Sequence, residues 1–494
     1  MAMNTQTANY RGYQKVLSLT HQTAVECKFG AEVESVIASE ARVILTGADV
    51  SDGEVRYYGK TYFLIVYADS EKRICRAEKG IEFSARAENE GCYPALTARA
   101  ALSVENLSTR REGASVYLTA LIGADISLYG EHSFDYLSGG DLVTKREEAN
   151  LLSARLVGGT TETEDEFETE FIGDILLHSE SVSGVDIALS AGAVRAEGEI
   201  NLCILALKGD GSLASFERLV PFSFEIPCEE AFPGRNAELR VSVLDVNLKA
   251  DADEEKQKCK IVAEFTLGAE GCVYEERTLD IVTDAFSCTN EITLSYNEVT
   301  TSGAGPSHSF TERVSGKAAL SSTVDFSDTL LAVTLQRAEA NLVSTDDGMR
   351  VEGVALATLL VKGADGTVRG LEMSLPFSVA ADATDADVCV LVCSMSARQR
   401  QEGEIDAEAT LKISFKEHRS LSAKFVCGVE EGAQVPVCDC AVSVFIPAAG
   451  DGLWELAKSL KKSPEEVSLN NPELEFPVKE GQRVVIYRKK ALNV

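Results

Sequence analysis

A short pattern that recurs three times at domain-sized spacing is the strongest constraint on how this chain can fold. Arg-x-x-Gly stretches end at Gly59, Gly198 and Gly353, which lie 139 and then 155 residues apart. In each copy a Phe-Ser pair begins 24 residues after the glycine. Solenoid repeats are about 20–50 residues long, so these intervals predict three copies of a larger unit.

Each copy carries the signals of antiparallel β-structure. In the second copy an apolar stretch that alternates in part, 194–207, runs into Asp210-Gly211, which is hairpin-turn chemistry, and then into a strand ending at Phe224. We therefore predict a mainly β chain with three tandem antiparallel domains, each resembling a β-sandwich or a partly open barrel. A second strand pair is predicted in every copy, at 98–104 with 115–128, at 238–248 with 258–267, and at 387–395 with 405–415.

Two stretches have the composition of connecting segments. The acidic run 162–170 and the small-residue run 302–306 are predicted to be loops or linkers. The predicted domains span 1–140, 141–290, 291–447 and 448–494, the last being of a different kind.

The last 45 residues, beginning at Gly450, have a helical period that the rest of the chain lacks. Leu453, Leu456, Ala457 and Leu460 form one apolar helical stripe. A second helix is predicted by three signals, which are a cap at Ser463, a proline at the first helical position and a glutamate three residues after the cap. Apolar strands are predicted just before these residues, at 442–446, and near their end, at 484–486. Together the strands and helices are predicted to form a small α+β module in the order strand, helix, helix, strand.

The charge balance limits the classes of partner. The chain has 78 acidic and 47 basic residues, a net charge of −31, while residues 450–494 hold 7 acidic and 8 basic ones. The negative charge therefore lies in the first 449 residues, which would be repelled by phosphate backbones and anionic lipid. We expect no nucleic-acid partner. We also expect no membrane insertion, because no apolar run approaches the roughly 18 residues that span a bilayer, and the N-terminus lacks the features of a signal peptide.

Motifs with known chemistry are weak throughout. Gly53 to Thr61 imitates a phosphate-binding loop, but the gap between its glycines is one residue too long, and the next residues predict a strand where a helix is required. The thirteen cysteines are expected to be reduced thiols that pack as small core residues. A zinc site remains an alternative for one set of four cysteines in apolar runs, Cys389, Cys393, Cys438 and Cys440. The five histidines form no ligand pair, and we expect neither an enzyme nor a cofactor.

Two family resemblances follow from these residues. The progression Arg-x-x-Gly, Asp-Gly, Pro-Phe-Ser resembles the SPOCS domain, a repeat of spore-coat proteins, most clearly in 185–260 and 345–415. The tail resembles a LysM domain, and the combination is similar to SipL-type spore coat morphogenetic proteins. The resemblance implies a non-enzymatic adaptor in the mother-cell cytoplasm, at the forespore surface. Its partners would be the ATPase of the coat basement layer and other coat proteins.

The LysM resemblance also implies where a ligand is bound. The contacts would come from the two loops that flank the helices, and the alternative ligand is the N-acetylglucosamine chain of peptidoglycan. Sugar-binding members commonly carry threonine where Gly452 stands, and this difference favours a protein ligand. Trp454, the only tryptophan, either covers the small core or is an exposed anchor for a partner. The predicted contact residues are Asp451, Gly452, Leu453, Asn470, Asn471, Pro472, Glu473 and Leu474.

Overall fold

The chain is mainly β-structure. The computed structural model describes residues 4–30, 33–113, 115–170, 172–253, 258–346, 348–400, 404–436 and 440–487. This described part contains twenty-one strands and two short helices. Its strands form open sheets of two to four strands, and none of these sheets closes into a barrel. The predicted mainly β class is confirmed, and the described strands form no closed barrel.

The first six strands form two sheets that enclose a common apolar core, and we call them unit 1. The long first strand pairs antiparallel with the long last strand, giving the order β1-β6-β5, and the intervening strands form the second sheet, β2-β3-β4. The strands are β1 (Thr5–Phe29), β2 (Ser35–Ser51), β3 (Glu54–Ala68), β4 (Ile74–Glu88), β5 (Thr97–Glu112) and β6 (Ser115–Gly140).

The next six strands repeat this order, and we call them unit 2. The first strand again pairs with the last, and the sheets are β7-β12-β11 and β8-β9-β10. The strands are β7 (Val143–Glu170), β8 (Ile172–Ser190), β9 (Ala193–Lys208), β10 (Leu213–Pro227), β11 (Asn236–Asp253) and β12 (Lys258–Phe286).

A third set, unit 3, differs only by one extra two-residue strand. Its sheets are β13-β19-β18 and β15-β16-β17-β14. All three predicted second strand pairs are present, as β5 with β6, β11 with β12, and β18 with β19. The strands of unit 3 are β13 (Asn290–Lys317), β14 (Ala319–Leu320), β15 (Thr329–Thr345), β16 (Gly348–Lys362), β17 (Val368–Ala380), β18 (Ala386–Gln399) and β19 (Ile405–Gln434).

The repeated sequence pattern has a direct structural reason. The glycine of each copy lies opposite the phenylalanine on the neighbouring strand, as in Gly59 with Phe83 and Gly353 with Phe377. A Cβ on Gly353 would come within 2.7 Å of the Phe377 ring, so the ring lies where a side chain would otherwise stand. In units 2 and 3 the repeated arginine and serine also meet: Nε of Arg350 donates to Oγ of Ser378 at 2.7 Å.

Both predicted linkers are wrong, because both stretches are strands. Residues 162–170 belong to β7, where the five even-numbered glutamates are exposed and the residues between them are half-buried. Residues 302–306 lie in β13, where a Cβ on Gly303 would come within 2.6 Å of Tyr274. The acidic composition of 162–170 therefore reflects one charged face of a strand. The small residues of 302–306 reflect a close approach to a neighbouring side chain. Neither composition marks a flexible linker.

The three units share cores with one another. One cluster takes Tyr10 from unit 1, Leu151 and Ile281 from unit 2, and Phe425 from unit 3. Phe134 of unit 1 stacks on Phe425 with ring centroids 4.8 Å apart. A second shared cluster joins the other sheets, and its members include Ile37, Leu64, Leu177, Leu205 and Leu360.

A polar contact also joins all three units. Glu238 of unit 2 accepts a hydrogen bond from the Tyr129 hydroxyl of unit 1 at 3.3 Å. The Glu238 carboxylate also forms an ion pair with Lys416 of unit 3, at 2.7 Å. Burial opposes the charge on Glu238, but the Lys416 ammonium outweighs it and holds the pKa of that carboxyl below its usual value. Beside it, burial raises the pKa of the Cys272 thiol to about 11.

The C-terminal module follows unit 3 and spans residues 442–487. It consists of β20 (Val442–Phe445), α1 (Leu453–Leu460), α2 (Pro464–Asn470) and β21 (Val484–Tyr487). β20 pairs antiparallel with β21. The hydroxyl of Ser463 accepts the backbone N–H of Glu466 at 3.1 Å and so caps α2. The Glu466 carboxylate pairs with Lys462 at 2.7 Å. Neither described helix is long or apolar enough to cross a bilayer.

Candidate functional site: the C-terminal module

The first predicted contact loop, at the start of α1, is tied down by its backbone. The N–H of Gly450 donates to the carbonyl of Val478 at 2.8 Å, and the N–H of Val478 donates to the carbonyl of Asp451 at 2.9 Å. The Asp451 carboxylate accepts from the N–H of Ala448 at 3.2 Å. Gly452 stands at the helix cap without a side-chain hydrogen bond, and Leu453 packs on the module core.

In the second predicted loop, at the end of α2, Asn471 is used inside the fold. Its amide group donates to the carbonyls of Val467 and Val485, at 3.0 and 2.8 Å. Its carbonyl oxygen accepts the N–H of Val485 at 2.8 Å. Both donor hydrogens of the amide are therefore occupied. Of the neighbouring predicted residues, Pro472 and Glu473 are exposed, Asn470 is half-buried, and Leu474 packs on the module core.

Trp454 packs on the module core, as one interpretation of its sequence position predicts, and it also contacts unit 2. Its indole N–H donates to Oδ2 of Asp284 at 2.8 Å, and its ring meets the Phe286 ring edge-on with centroids 5.2 Å apart. Lys458, one helical turn later, reaches both oxygens of Asp284 at 2.7 Å. We call these four residues, Asp284, Phe286, Trp454 and Lys458, the clasp.

The electrostatics of the clasp favour an ionised Asp284. Burial opposes the charge, but the hydrogen bonds from Lys458 and Trp454 outweigh it and hold the pKa of the Asp284 carboxyl below its usual value. A second ion pair, Lys461 with Glu291 at 2.8 Å, joins α1 to the first residues of unit 3. The module is therefore attached to the junction of units 2 and 3 through the face of α1.

The apolar core of the module continues into unit 2. Phe286, at the end of β12, is buried in the same cluster as Leu456, Ala457, Val467 and Val484. Sequence reasoning missed this contact because Asp284 and Trp454 are 170 residues apart. The only local signal is an acidic and an aromatic residue, Asp284 and Phe286, two positions apart at the end of β12.

The exposed face of the two-stranded sheet of the module is apolar. Val442 and Tyr487, which lie opposite each other on β20 and β21, are 50% and 57% exposed, and Val444 is 60% exposed. Val484 and Ile486, which alternate with Tyr487, are buried in the module core. The two-stranded sheet thus covers the core with one face and presents an aliphatic face to solvent.

Other candidate sites in the sequence have structural explanations. Gly53 has a positive φ of 79° in the turn between β2 and β3, and Gly59 lies inside β3, so the imitation of a phosphate-binding loop has no helix. Among the described residues no group of three potential ligands is placed to hold a metal ion. Cys438 lies outside the described residues, and Cys389 and Cys440 are exposed rather than packed in a core. The cysteines that are buried as predicted are Cys27, Cys92, Cys203, Cys228, Cys259 and Cys272.

A family model matches part of the chain. The family model described as SipL, SPOCS domain, matches residues 32–111, which contain β2 to β4 and all of β5 except its last residue. No curated protein and no solved structure matches the chain. The match falls in the first copy of the repeat, where the sequence resemblance is weaker than in the other two. It indicates a sporulation-related protein.

Proposed function

We propose that this chain is a non-enzymatic adaptor of the spore envelope. In this proposal the three units form a scaffold, and the C-terminal module is a LysM-like domain that docks onto the ATPase of the coat basement layer. The family match in residues 32–111 carries the proposal, since it supplies the connection to sporulation. The protein would act in the mother-cell cytoplasm, at the forespore surface.

The proposal extends the SPOCS assignment to units 2 and 3. The matched segment corresponds to strands two to five of unit 1, and the same strand order is found in 172–253 and 329–399. The cross-strand contact of the repeated glycine and phenylalanine also recurs, with Gly198 opposite Phe222. Three copies of one domain, spanning about 1–140, 141–290 and 291–447, account for both observations.

An adaptor role is supported by one group of residues whose pKa values are perturbed because they lie at contacts between the units. Burial raises the pKa values of three neighbouring groups, Tyr129, Tyr274 and Cys272. Beside them, Glu238 forms its ion pair with Lys416. All of them lie where units pack against one another, and there they join strands of different units. Perturbed pKa values of this origin are expected from structural networks as well as from active sites.

A protein ligand is preferred over the glycan alternative because of what the module offers. The Asn471 amide and the Trp454 indole, two groups that could bind a sugar, donate inside the molecule. The exposed face of the sheet is aliphatic, around Val442 and Val444. Aliphatic surface suits a protein interface, whereas sugar recognition relies on converging hydrogen-bond donors and acceptors.

Two parallel pull-down experiments test the proposal. The full-length chain is incubated with the purified basement-layer ATPase and, separately, with purified peptidoglycan. We expect retention by the ATPase and none by peptidoglycan beyond that of a bead control. Retention by peptidoglycan alone would show that the glycan alternative is right and the adaptor proposal is wrong.

A further inference from the structure

The two-stranded sheet of the module has one protected edge and one open edge. On β21, the side chain of Asn471 bonds both the N–H and the C=O of Val485. These groups therefore point away from β20, and the pair Val444–Val485 is of the type without mutual hydrogen bonds. By the same alternation, the N–H and C=O of Val442 and Val444 point away from β21, toward the other edge of β20. In the described part of the chain nothing pairs with that edge.

The open edge lacks the protection that the other edges have. Native sheets discourage pairing with foreign strands by placing charged residues on their edge strands. In the three units, every edge strand longer than two residues carries at least two charged residues, and the exposed half of β7 carries five glutamates on one face. By contrast, the stretch from Cys440 to Gly450 contains no charged residue.

We infer that the open edge of β20 accepts an extended segment of a protein partner as a third strand. This inference builds on the proposed function, since it says how the C-terminal module would hold its protein partner. The main chain of the added strand would bond the free backbone groups of Val442 and Val444. Its apolar side chains would continue the exposed face formed by Val442, Val444 and Tyr487. Strand addition of this kind draws its affinity from backbone hydrogen bonds and its specificity from alternate side chains.

The charge of the molecule defines the segment further. The first 449 residues carry a net charge of −32, and the strand itself is uncharged. A segment whose apolar positions alternate with polar ones, and which is flanked by lysine or arginine, would be attracted by the body without introducing charge at the edge. A second copy of this chain does not fit that description, because the body of the copy is equally acidic.

The clasp holds the module through residues of α1, which lie outside β20. Trp454 and Lys458 hold the opposite side of the module against unit 2, and the buried residues of β21 face the same way, into the shared core. The exposed face of β20 and β21 therefore points away from the body. A partner strand could add without displacing the module.

A peptide experiment tests the inference on the full-length chain. The probe is a labelled synthetic peptide in which valine and threonine alternate over five positions between two pairs of lysines, and binding is followed by fluorescence anisotropy. The control peptide has proline in place of the central valine, which removes a backbone donor and disfavours strand pairing. We expect the alternating peptide to bind and the proline peptide to fail. No binding of the alternating peptide, or equal binding of both, would overturn the inference.

Two variants of the chain locate the binding. Val444→Pro removes the edge-facing N–H, a position where proline is tolerated, and Val444→Lys adds a protecting charge. We expect each to weaken peptide binding at least about tenfold, which is about 1.4 kcal/mol. Leu469→Lys, at an 82% exposed position on α2, is the matched control and should bind as the unmodified chain does. Unchanged peptide binding by both Val444 variants would contradict the inference.

The same proteins are tested against the basement-layer ATPase. If the unmodified chain binds the peptide but not the ATPase, the proposed function is wrong and the strand-accepting edge stands. If it binds the ATPase and the Val444 variants do so equally well, the proposed function stands and the inference is wrong.

Discussion

The three units and the C-terminal module are held in place by different forces. The units share buried aromatic and aliphatic clusters, with residues such as Phe134 and Phe425 stacked across their boundary. The module is attached by one carboxylate, one aromatic pair and one peripheral ion pair. We expect the extensive apolar burial to make the units unfold together, whereas the smaller contact of the module, apolar at Phe286 and polar at Asp284, should let the module respond separately. The following predictions challenge this comparison, from the largest expected effect to the smallest.

Phe425→Ala should destabilise all three units together. Phe425 is fully buried in the cluster that the three units share, and removing a buried phenylalanine costs about 3–5 kcal/mol. The free energy of unfolding is measured by denaturant titration. Phe326→Ala, at an 80% exposed position, is the control and should change it by less than about 0.5 kcal/mol. If only unit 3 unfolded, the units would be independent and the comparison would fail.

Lys416→Met should weaken the polar contact between the units. It leaves the Glu238 carboxylate without its ammonium partner, and we expect a loss of about 1–2 kcal/mol, since the pair is partly exposed. The folded pKa of Glu238 is lowered, so its contribution is present above the unfolded value near 4.5 and is lost as the pH falls through the folded value. Denaturation at pH 7 and pH 4 should therefore show a smaller pH effect in the variant.

Lys317→Met is the control for this prediction. Lys317 also pairs with a glutamate, Glu404, but both side chains are exposed. Exposed pairs contribute little, so its effect should stay within about 0.5 kcal/mol. Equal losses from both variants would mean that the contact around Glu238 has no special role.

Asp284→Asn should loosen the module and leave the units intact. The clasp loses its charged hydrogen-bond acceptor, which also accepts the Tyr296 hydroxyl of unit 3 at 3.5 Å, and this loss is expected to cost about 1–2 kcal/mol locally. Trp454 is the only tryptophan, so its fluorescence reports on the clasp alone, and we expect a red shift as the indole meets water.

The clasp should also respond to pH. The folded pKa of Asp284 lies below its ordinary value of 3.8, so the clasp is formed above that value and opens as the pH falls through the folded one. The unmodified chain should show the red shift in strong acid, and Asp284→Asn should show it at every pH. An acid shift of equal size in the variant would mean that another group controls the module.

Glu40→Gln should have a small effect of the opposite sign. Glu40 lines a cavity of about 290 Å³ between units 1 and 2, where burial and the nearby Glu180 carboxylate raise its pKa well above the usual value, partly offset by Arg42. The folded state then retains a proton that the unfolded state releases, so stability falls as the pH rises from about 4.5 through the folded pKa. The variant should gain less than about 1 kcal/mol at pH 8 and nothing at pH 4. Thermal denaturation at both pH values measures this.

Much of the local architecture could be predicted from the sequence. The spacing of Gly353 and Phe377 marks a cross-strand contact within one hairpin, and Ser463 marks the start of α2. Both depend on residues close in the chain. The acidic run 162–170 was misassigned because charge suggested a loop, whereas its alternation, with glutamate at every even position, is the period of a strand.

The candidate site could be predicted only in part. The sequence indicates the two loops of the module, but the structure places the Asn471 amide on the backbone of β21 and Trp454 on unit 2. Neither orientation follows from composition, since each depends on a partner that the local sequence does not specify. The open edge of β20 was also missed, although the absence of charge between Cys440 and Gly450 could have indicated it.

The sequence by itself determined the class of the chain, the repeated hairpins, the two helices and the excess of negative charge. Periodicity, caps and turns act over a few residues, so a single segment contains the whole signal. Only the tertiary structure decided that the three units share their cores, that Asp284 holds the module 170 residues away, and that one sheet edge is open. These features depend on which surfaces meet when the chain packs, and that choice is made by the summed burial of distant residues.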